Sequence, residues 1–139
     1  MPSHRVGCAR IEPLAENLYE IFTDHGSEIT LEDCLAFDQF WDQECQQPFD
    51  LLIDGNREFS YSFDASLVIG SHPLQRYVAV YATKNTTQMA QQAAVSINQL
   101  QFPDKLVGML PTRAEALAWL TQIRQHNRTE AAKDSKITR

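Results

Sequence analysis

The sequence predicts an α/β domain with a mostly parallel or mixed β-sheet and crossover helices. Short runs of β-branched and aromatic residues alternate with longer stretches in which apolar residues recur at helical spacing. The run "FDLLID" (49–54) has three consecutive apolar residues, as expected for a central strand buried on both faces. The chain has 139 residues, of which 43% are hydrophobic, so it can form one core. We place this single domain at residues 1–125.

The N-terminal part is predicted to form two strands and a helix. "HRVGCARIE" (4–12) is typical of an edge strand, which we expect to be antiparallel, and "NLYEIFTDHG" (17–26) forms the next strand. In "ITLEDCLAFDQFWDQECQQ", Thr30 can cap a helix that carries acids in its first turn. The apolar residues at helical spacing predict a buried stripe of Cys34, Phe37, Trp41 and Cys45.

The rest of the chain continues the alternation of strands and helices. After the central strand, "ASLVIGSHP" predicts a short second helix and "RYVAVYAT" (76–83) another buried strand. "NTTQMAQQAAVSINQLQ" predicts a third helix, and "DKLVGML" (104–110) a final strand. The fourth helix, "TRAEALAWLTQI", opens with Thr112 and Glu115 in capping-box spacing. Residues 126–139 are almost free of apolar side chains, so we expect a polar tail there, either a frayed helix end or a disordered segment.

Charge and composition exclude several classes of function. The net charge of −6 argues against non-specific nucleic-acid binding, which needs clustered lysine and arginine. No apolar run approaches the roughly 20 residues that span a bilayer or the shorter core of a signal peptide. We therefore expect a cytoplasmic protein that is not embedded in a membrane. Three cysteines, an odd number without paired spacing, fit a reducing compartment.

Four motifs, together with the order of the elements, resemble the bacterial SpoIIAA-like or STAS-like domains of anti-sigma-factor antagonists. The motifs are "ITLEDCLAF", "LLIDGNREF", "HPLQRYVAVYAT" and "PTRAEALAWL", and the resemblance spans residues 14–123. It implies a mostly parallel sheet of four to five strands with about four helices, most of them on one side. The other face then needs cover, which is compatible with a homodimer. The resemblance also implies a regulatory module that binds a protein partner.

The stretch "FSYSFDAS" (59–66) follows the central strand and contains the candidate phosphoacceptors. Antagonists of this family are phosphorylated in an Asp-Ser-Ser-Gly turn, and the resemblance puts Ser66, in Asp64-Ala65-Ser66-Leu67, at the acceptor position. A phosphate on Ser66 or Ser62 would also be favoured by the unpaired N–H groups at a helix start. The competing interpretation is structural: Ser62 caps the second helix, which we favour.

A ligand site is the alternative at the same edge of the sheet. Asp54, Arg57 and Ser62 follow the central strand, where ligands of open α/β sheets often bind. His72, Arg76 and Lys84 are further basic residues near this edge in sequence, although scattered surface charge explains them better. The acids Asp33, Asp38, Asp42 and Glu44 mark either a solvated helix face or a partner-facing patch.

The leading hypothesis is a non-enzymatic cytoplasmic regulatory or interaction module that contacts a protein partner through the turn and helix after the central strand. The alternative is a binding domain for a small ligand, a nucleotide, anion or lipid, in the crevice near Asp54, Arg57 and Ser62. A hydrolase ranks below both, because no serine-nucleophile elbow accompanies the few histidines. No catalytic residue, metal site or cofactor is predicted.

Overall fold

The computed structural model describes residues 3–84, 88–89, 91–92, 95–96, 102 and 105–137, with side chains as far as residue 126. The strands are β1 (His4–Val6), β2 (Ala9–Ala15), β3 (Leu18–Thr23), β4 (Glu28–Ile29), β5 (Phe49–Asp54), β6 (Ser60–Tyr61), β7 (Gln75–Tyr81) and β8 (Leu106–Leu110). The helices are α1 (Leu31–Glu44), α2 (Phe63–Val68) and α3 (Arg113–Ile137), and one 3₁₀ turn covers Gly55–Arg57.

Six of the strands form a mixed sheet in the order β1-β2-β3-β5-β7-β8. The first three are antiparallel, whereas β3, β5, β7 and β8 run parallel. The predicted α/β class is confirmed, and the N-terminal edge is antiparallel as expected. The sheet has six strands instead of four or five because residues 4–12 form a hairpin, not one strand. Gly7 turns this hairpin with a φ of 56°, a left-handed conformation that glycine adopts without strain.

The central position of the "FDLLID" strand is confirmed. β5 lies between β3 and β7, and its first four residues are buried. Successive residues of a strand point to opposite faces, so β5 contributes to two cores. Leu51 packs on the side of α1 with Val78 and Val80, whereas Leu52 packs on the other side with Ala79.

Helix α1 forms as its sequence predicts. The Thr30 hydroxyl accepts a hydrogen bond from the Asp33 amide, and the Asp33 carboxylate accepts one from the Thr30 amide. This capping box satisfies donors that the first helical turn leaves unpaired. The predicted stripe is buried, and it faces the sheet: Cys34, Phe37, Trp41 and Cys45.

Helix α3 lies on the opposite face of the sheet from α1. Ala116 and Leu120 of α3 pack against Leu52, Ala79 and Tyr81, which point away from the core beneath α1. The STAS-like resemblance implied that most helices share one side, and α1 and α2 do. The second face is covered by α3, so it does not need a partner chain over this part of the sheet.

Two predicted segments are described only in part or extend further than expected. The predicted third helix lies mostly outside the described residues, although positions 88–89, 91–92 and 95–96 are helical. Helix α3 continues to Ile137, across the polar tail predicted from residue 126. Among the described helices, none combines the length and apolarity required to cross a bilayer.

Candidate functional site

A two-stranded parallel pair, β4 with β6, sets the starts of α1 and α2 side by side. Ile29 pairs with Tyr61, and the Ser62 amide donates to the Ile29 carbonyl at 2.9 Å. Each strand leads through a capping residue into its helix, Thr30 into α1 and Ser62 into α2. Helices α1 and α2 also contact each other directly.

These two helices carry four exposed apolar side chains. Leu31 and Leu35 lie one turn apart on α1, and Phe63 and Val68 lie on α2; we call these four residues the α1–α2 surface. Phe63 is 77% exposed and Leu35 61%. Four of the seven exposed large apolar residues in the described chain lie here, although α1 and α2 make up only a small part of it. Such a grouping indicates an interaction surface better than isolated exposed residues do.

The same two helices are strongly acidic. They contain no lysine or arginine, and their acids are Glu32, Asp33, Asp38, Asp42, Glu44 and Asp64. Burial raises the pKa of Asp38; His72 opposes this shift, and the Asp42 carboxylate adds to it less strongly than His72 opposes it. With six acids and no lysine or arginine, the two helices that carry the apolar surface are negatively charged at neutral pH.

A narrow apolar crevice lies between α1, the end of α2 and the sheet. It contains a cavity of about 50 Å³, and Val68 belongs both to its wall and to the α1–α2 surface. A second cavity of about 50 Å³ shares part of this wall and extends towards β8. The crevice is walled mainly by apolar side chains, among them Ile21, Phe37, Trp41, Leu51 and Ile53.

Five polar residues belong to the wall of this mainly apolar crevice: Thr23, Cys34, Asp38, Tyr61 and Gln75. The buried Thr23 hydroxyl has no hydrogen-bond partner among the described residues. Burial raises the pKa of the Tyr61 phenol above its usual range, and it raises that of the Cys34 thiol to about 11. An unpartnered hydroxyl inside an apolar wall costs about 1–3 kcal/mol, which a ligand with a polar head group would recover.

The structure brings two of the predicted ligand residues together at the carboxyl end of β5. The Asp54 carboxylate accepts a hydrogen bond from the Asn56 amide at 2.9 Å and lies 3.6 Å from Arg57 Nε. Asp54 thus caps the 3₁₀ turn, a local structural role that needs no ligand. No hydrogen bond or ion pair within the described chain joins Ser62 to these two residues.

The two candidate phosphoacceptors differ in their surroundings. The Ser62 hydroxyl accepts from the Ala65 amide at 3.2 Å, which is the helix cap that the structural interpretation predicts. Ser66 is 9% exposed, and its hydroxyl donates to the Phe63 carbonyl at 2.7 Å. A kinase could reach Ser66 only if α2 moved away from the core, whereas Ser62 is half-buried.

The other basic residues near this edge in sequence do not form one pocket. Lys84 lies 3.8 Å from Glu58, and His72 is buried with its Nε2 atom 2.7 Å from Asp42. Arg76 lies at the amino end of β7, because the register pairs Tyr81 with Asp54 at the far end. His72 and Arg76 are therefore separated from Asp54 by the length of the strands.

Two buried carboxylates, on the face of the sheet that α3 covers, were not predicted from the sequence. Glu20 accepts two hydrogen bonds from Arg113, at 2.7 and 2.9 Å, and one from the Tyr81 hydroxyl at 2.8 Å. Burial, followed by the bond to Glu20, raises the pKa of Tyr81, so the phenol stays a donor. Asp50 accepts from Arg76 and lies 3.3 Å from Arg124. The sequence signal that could have revealed these two carboxylates is an acidic residue inside an otherwise apolar strand.

Comparison of the chain with protein-family models, curated proteins and solved structures gave no match. The STAS-like resemblance therefore stays a prediction, and the case for a function depends on the geometry of the chain itself.

Proposed function

We propose that the chain is a non-enzymatic protein-interaction module whose α1–α2 surface binds an amphipathic segment of a partner with basic residues around its apolar face. The observation that carries the proposal is the exposure of Phe63 and Leu35 on two helices without a single basic residue. Phe63 lies on the helix after the central strand, through which the sequence-based hypothesis expects the chain to contact a protein partner.

Charge decides which occupant fits this surface. A second copy of the chain would bring the same six acids against each other, and like charges across an interface oppose association. Anionic lipid head groups would be repelled for the same reason. A partner segment with lysine or arginine around apolar anchors satisfies both the exposed side chains and the acids. Binding of an apolar helix face into a shallow apolar surface is a common mode of recognition.

Replacing Phe63 by serine should weaken binding of a basic amphipathic peptide by about tenfold or more, because exposed aromatic anchors often dominate interface energies. The probe is a helical peptide with lysines on its polar face, followed by fluorescence anisotropy at low salt. Since Phe63 is 77% exposed, the Phe63→Ser variant should keep its melting temperature.

Met89, which is 74% exposed and lies outside the α1–α2 surface, provides the matched control. The Met89→Ser variant should bind like the unmodified chain. A peptide of equal apolarity with glutamates instead of lysines should not bind. Equal binding of the acidic peptide, or equal losses in both serine variants, would show that the surface does not select its partner as proposed.

The crevice supports a second candidate function, the binding of a small apolar ligand with a polar head group. Of the nucleotides, anions and lipids considered from the sequence, lipids fit best, because the wall is mainly apolar and its one charged side chain among the described residues is the acid Asp38, which disfavours anionic groups. The Thr23 hydroxyl supports this candidate, since it offers a hydrogen bond that no described residue uses. The crevice would have to widen for an acyl chain to enter.

Alkylation of Cys34 tests this second candidate. With its pKa raised to about 11, Cys34 stays a protonated thiol at neutral pH. Its reaction with iodoacetamide should therefore be slow and rise about tenfold per pH unit between about pH 7 and 9. A medium-chain fatty acid should slow the reaction at Cys34, measured by peptide mass spectrometry, and leave the half-buried Cys8 unaffected. Equal rates at Cys34 with and without fatty acid would remove the candidate.

A further inference from the structure

Strand β8 forms one edge of the six-stranded sheet. It pairs with β7 along one side, without a bulge, and no other strand of the described chain pairs with it. An edge strand presents unpaired backbone N–H and C=O groups, which can pair with another chain. The sequence of β8, LVGML, contains neither a charged residue nor a proline. β8 therefore lacks the features that usually keep an edge strand from pairing.

The opposite edge of the same sheet is protected. β1 has only three residues, and its middle residue, Arg5, is exposed and forms an ion pair with Asp24. A short edge strand with a charged side chain resists pairing with another chain. At β8, the charged residue directly before the strand is Lys105, whose Nζ donates to the backbone carbonyls of His72 and Gln75. The ammonium group is thus held at the amino end of β7, on the side of β8 that is already paired.

Exposed apolar side chains lie near both ends of β8. Leu106, the first residue of the strand, is 44% exposed. The carboxyl end of β8 borders an open cavity of about 630 Å³, and the described wall of this cavity is uncharged: Gln88, Met89, Gln92, Met109, Leu110 and Pro111. In the described chain, Leu106 and Met89 are two of the three exposed large apolar residues outside the α1–α2 surface. An uncharged edge with exposed apolar neighbours favours contact with another protein chain.

Charge and symmetry favour a second copy of the chain as the occupant of this edge. The net charge of −6 makes two copies repel each other in general, but β8 and the described wall of the cavity contain no acid. In an antiparallel pair of β8 strands, each end of the strand meets the opposite end of its copy. With the two-fold axis at Gly108, the middle residue, Leu106 of each copy faces Leu110 of the other. The two Lys105 residues then lie at opposite ends of the pair.

We infer that the free edge of β8 pairs in antiparallel orientation with β8 of a second copy, so that two sheets join into one continuous sheet. On the face covered by α3, where Leu110 packs, each exposed Leu106 lies against Leu110 of the other copy. On the face of α1, where Val107 packs, Val107 lies opposite Met109 of the other copy. The inference does not depend on either proposed function, because it uses neither the α1–α2 surface nor a ligand.

Sedimentation velocity over a concentration series tests the inference. We expect reversible dimerisation with a dissociation constant of about 1–100 µM, because one pair of short strands makes a small interface. Leu106→Lys places a charge against an apolar side chain at both ends of the paired strands, so dimerisation should weaken about tenfold or more. Leu14→Lys is the matched control, because Leu14 is 37% exposed, lies on β2 and undergoes the same change of charge. This variant should dimerise like the unmodified chain.

Two outcomes of the sedimentation experiment overturn the inference. One is a chain that stays monomeric at all concentrations up to about 300 µM. The other is dimerisation that Leu106→Lys leaves unchanged, which would place the interface elsewhere. Circular dichroism verifies that the variants are folded, and Leu106→Ser replaces Leu106→Lys if the lysine variant does not fold.

Disulfide trapping tests the antiparallel pairing itself. A variant with Leu106→Cys and Leu110→Cys should form a disulfide-linked dimer under mild oxidation, detected on a non-reducing gel. The two introduced thiols of one chain cannot bond to each other, because four strand residues separate their Cα atoms by about 13 Å, beyond the roughly 7 Å limit. Leu14→Cys is the matched control and should not be trapped as a dimer. A chain that dimerises without trapping of the double variant would overturn the inference.

Discussion

Replacing Asp50 by alanine should lower the free energy of unfolding by about 3–5 kcal/mol, because removing one partner of a buried ion pair leaves the other charges uncompensated. Asp50 is completely buried, while the side chains of Arg76 and Arg124 are 29% and 13% exposed. The substitution also removes the acceptor for the Tyr77 amide, 3.1 Å away. Urea denaturation at neutral pH measures the loss.

An exposed ion pair of the same kind provides the control for Asp50→Ala. Asp24 accepts two hydrogen bonds from Arg5, but both side chains are about half exposed. Asp24→Ala should therefore cost no more than about 1 kcal/mol. If Asp50→Ala does not fold, Asp50→Asn, which keeps the shape and one acceptor, should give an intermediate loss. Similar small losses at Asp50 and Asp24 would contradict the assigned role of burial.

The two buried carboxylates explain how α3 is attached to the sheet. Arg113, Ala116, Leu120 and Arg124 share one face of α3, because intervals of three and four residues return to the same side of a helix. The two apolar residues of this stripe are completely buried. The two arginines reach Glu20 and Asp50 on neighbouring strands, so charged contacts at both ends of this stripe, in the first half of α3, fix where the helix lies along the sheet.

Local signals in the sequence were sufficient to predict the elements but not these contacts. The apolar run at Leu51 and the capping residues at Thr30 and Ser62 each depend on a few neighbouring residues, and the structure agrees with them. Glu20 and Arg113 are 93 residues apart in the chain. Their pairing follows only from the register of the sheet and the side on which α3 packs, which periodicity does not specify.

The α1–α2 surface could not be predicted from the sequence for a related reason. Its geometry depends on β4 and β6, which have only two residues each and give no alternation to detect. Phe63 is the first residue of α2, directly after the cap Ser62, whereas the residues that α2 buries are Ala65 and Ser66. The sequence identified the acidic face of α1 but left open whether it was solvated or faced a partner.

Replacing Trp41 by alanine should cost about 3–5 kcal/mol of unfolding free energy, the usual range for a large buried aromatic residue. Trp41 is 2% exposed, and its ring lies 4.5 Å from that of Phe49 and 5.2 Å from that of Tyr19, measured between centroids. It also forms part of the crevice wall. Truncation therefore enlarges an existing cavity instead of allowing the core to close.

The second tryptophan makes this prediction specific. Trp119 of α3 is only half-buried and lies on the other face of the sheet, against Gly108. Trp119→Ala should cost less than Trp41→Ala in the same urea titration. Indole should raise the melting temperature of Trp41→Ala, because a dry apolar cavity binds an apolar molecule of matching shape. It should not stabilise Trp119→Ala, whose truncation opens to solvent. Equal responses of the two variants to indole would mean that the space around Trp41 is not an enclosed apolar site.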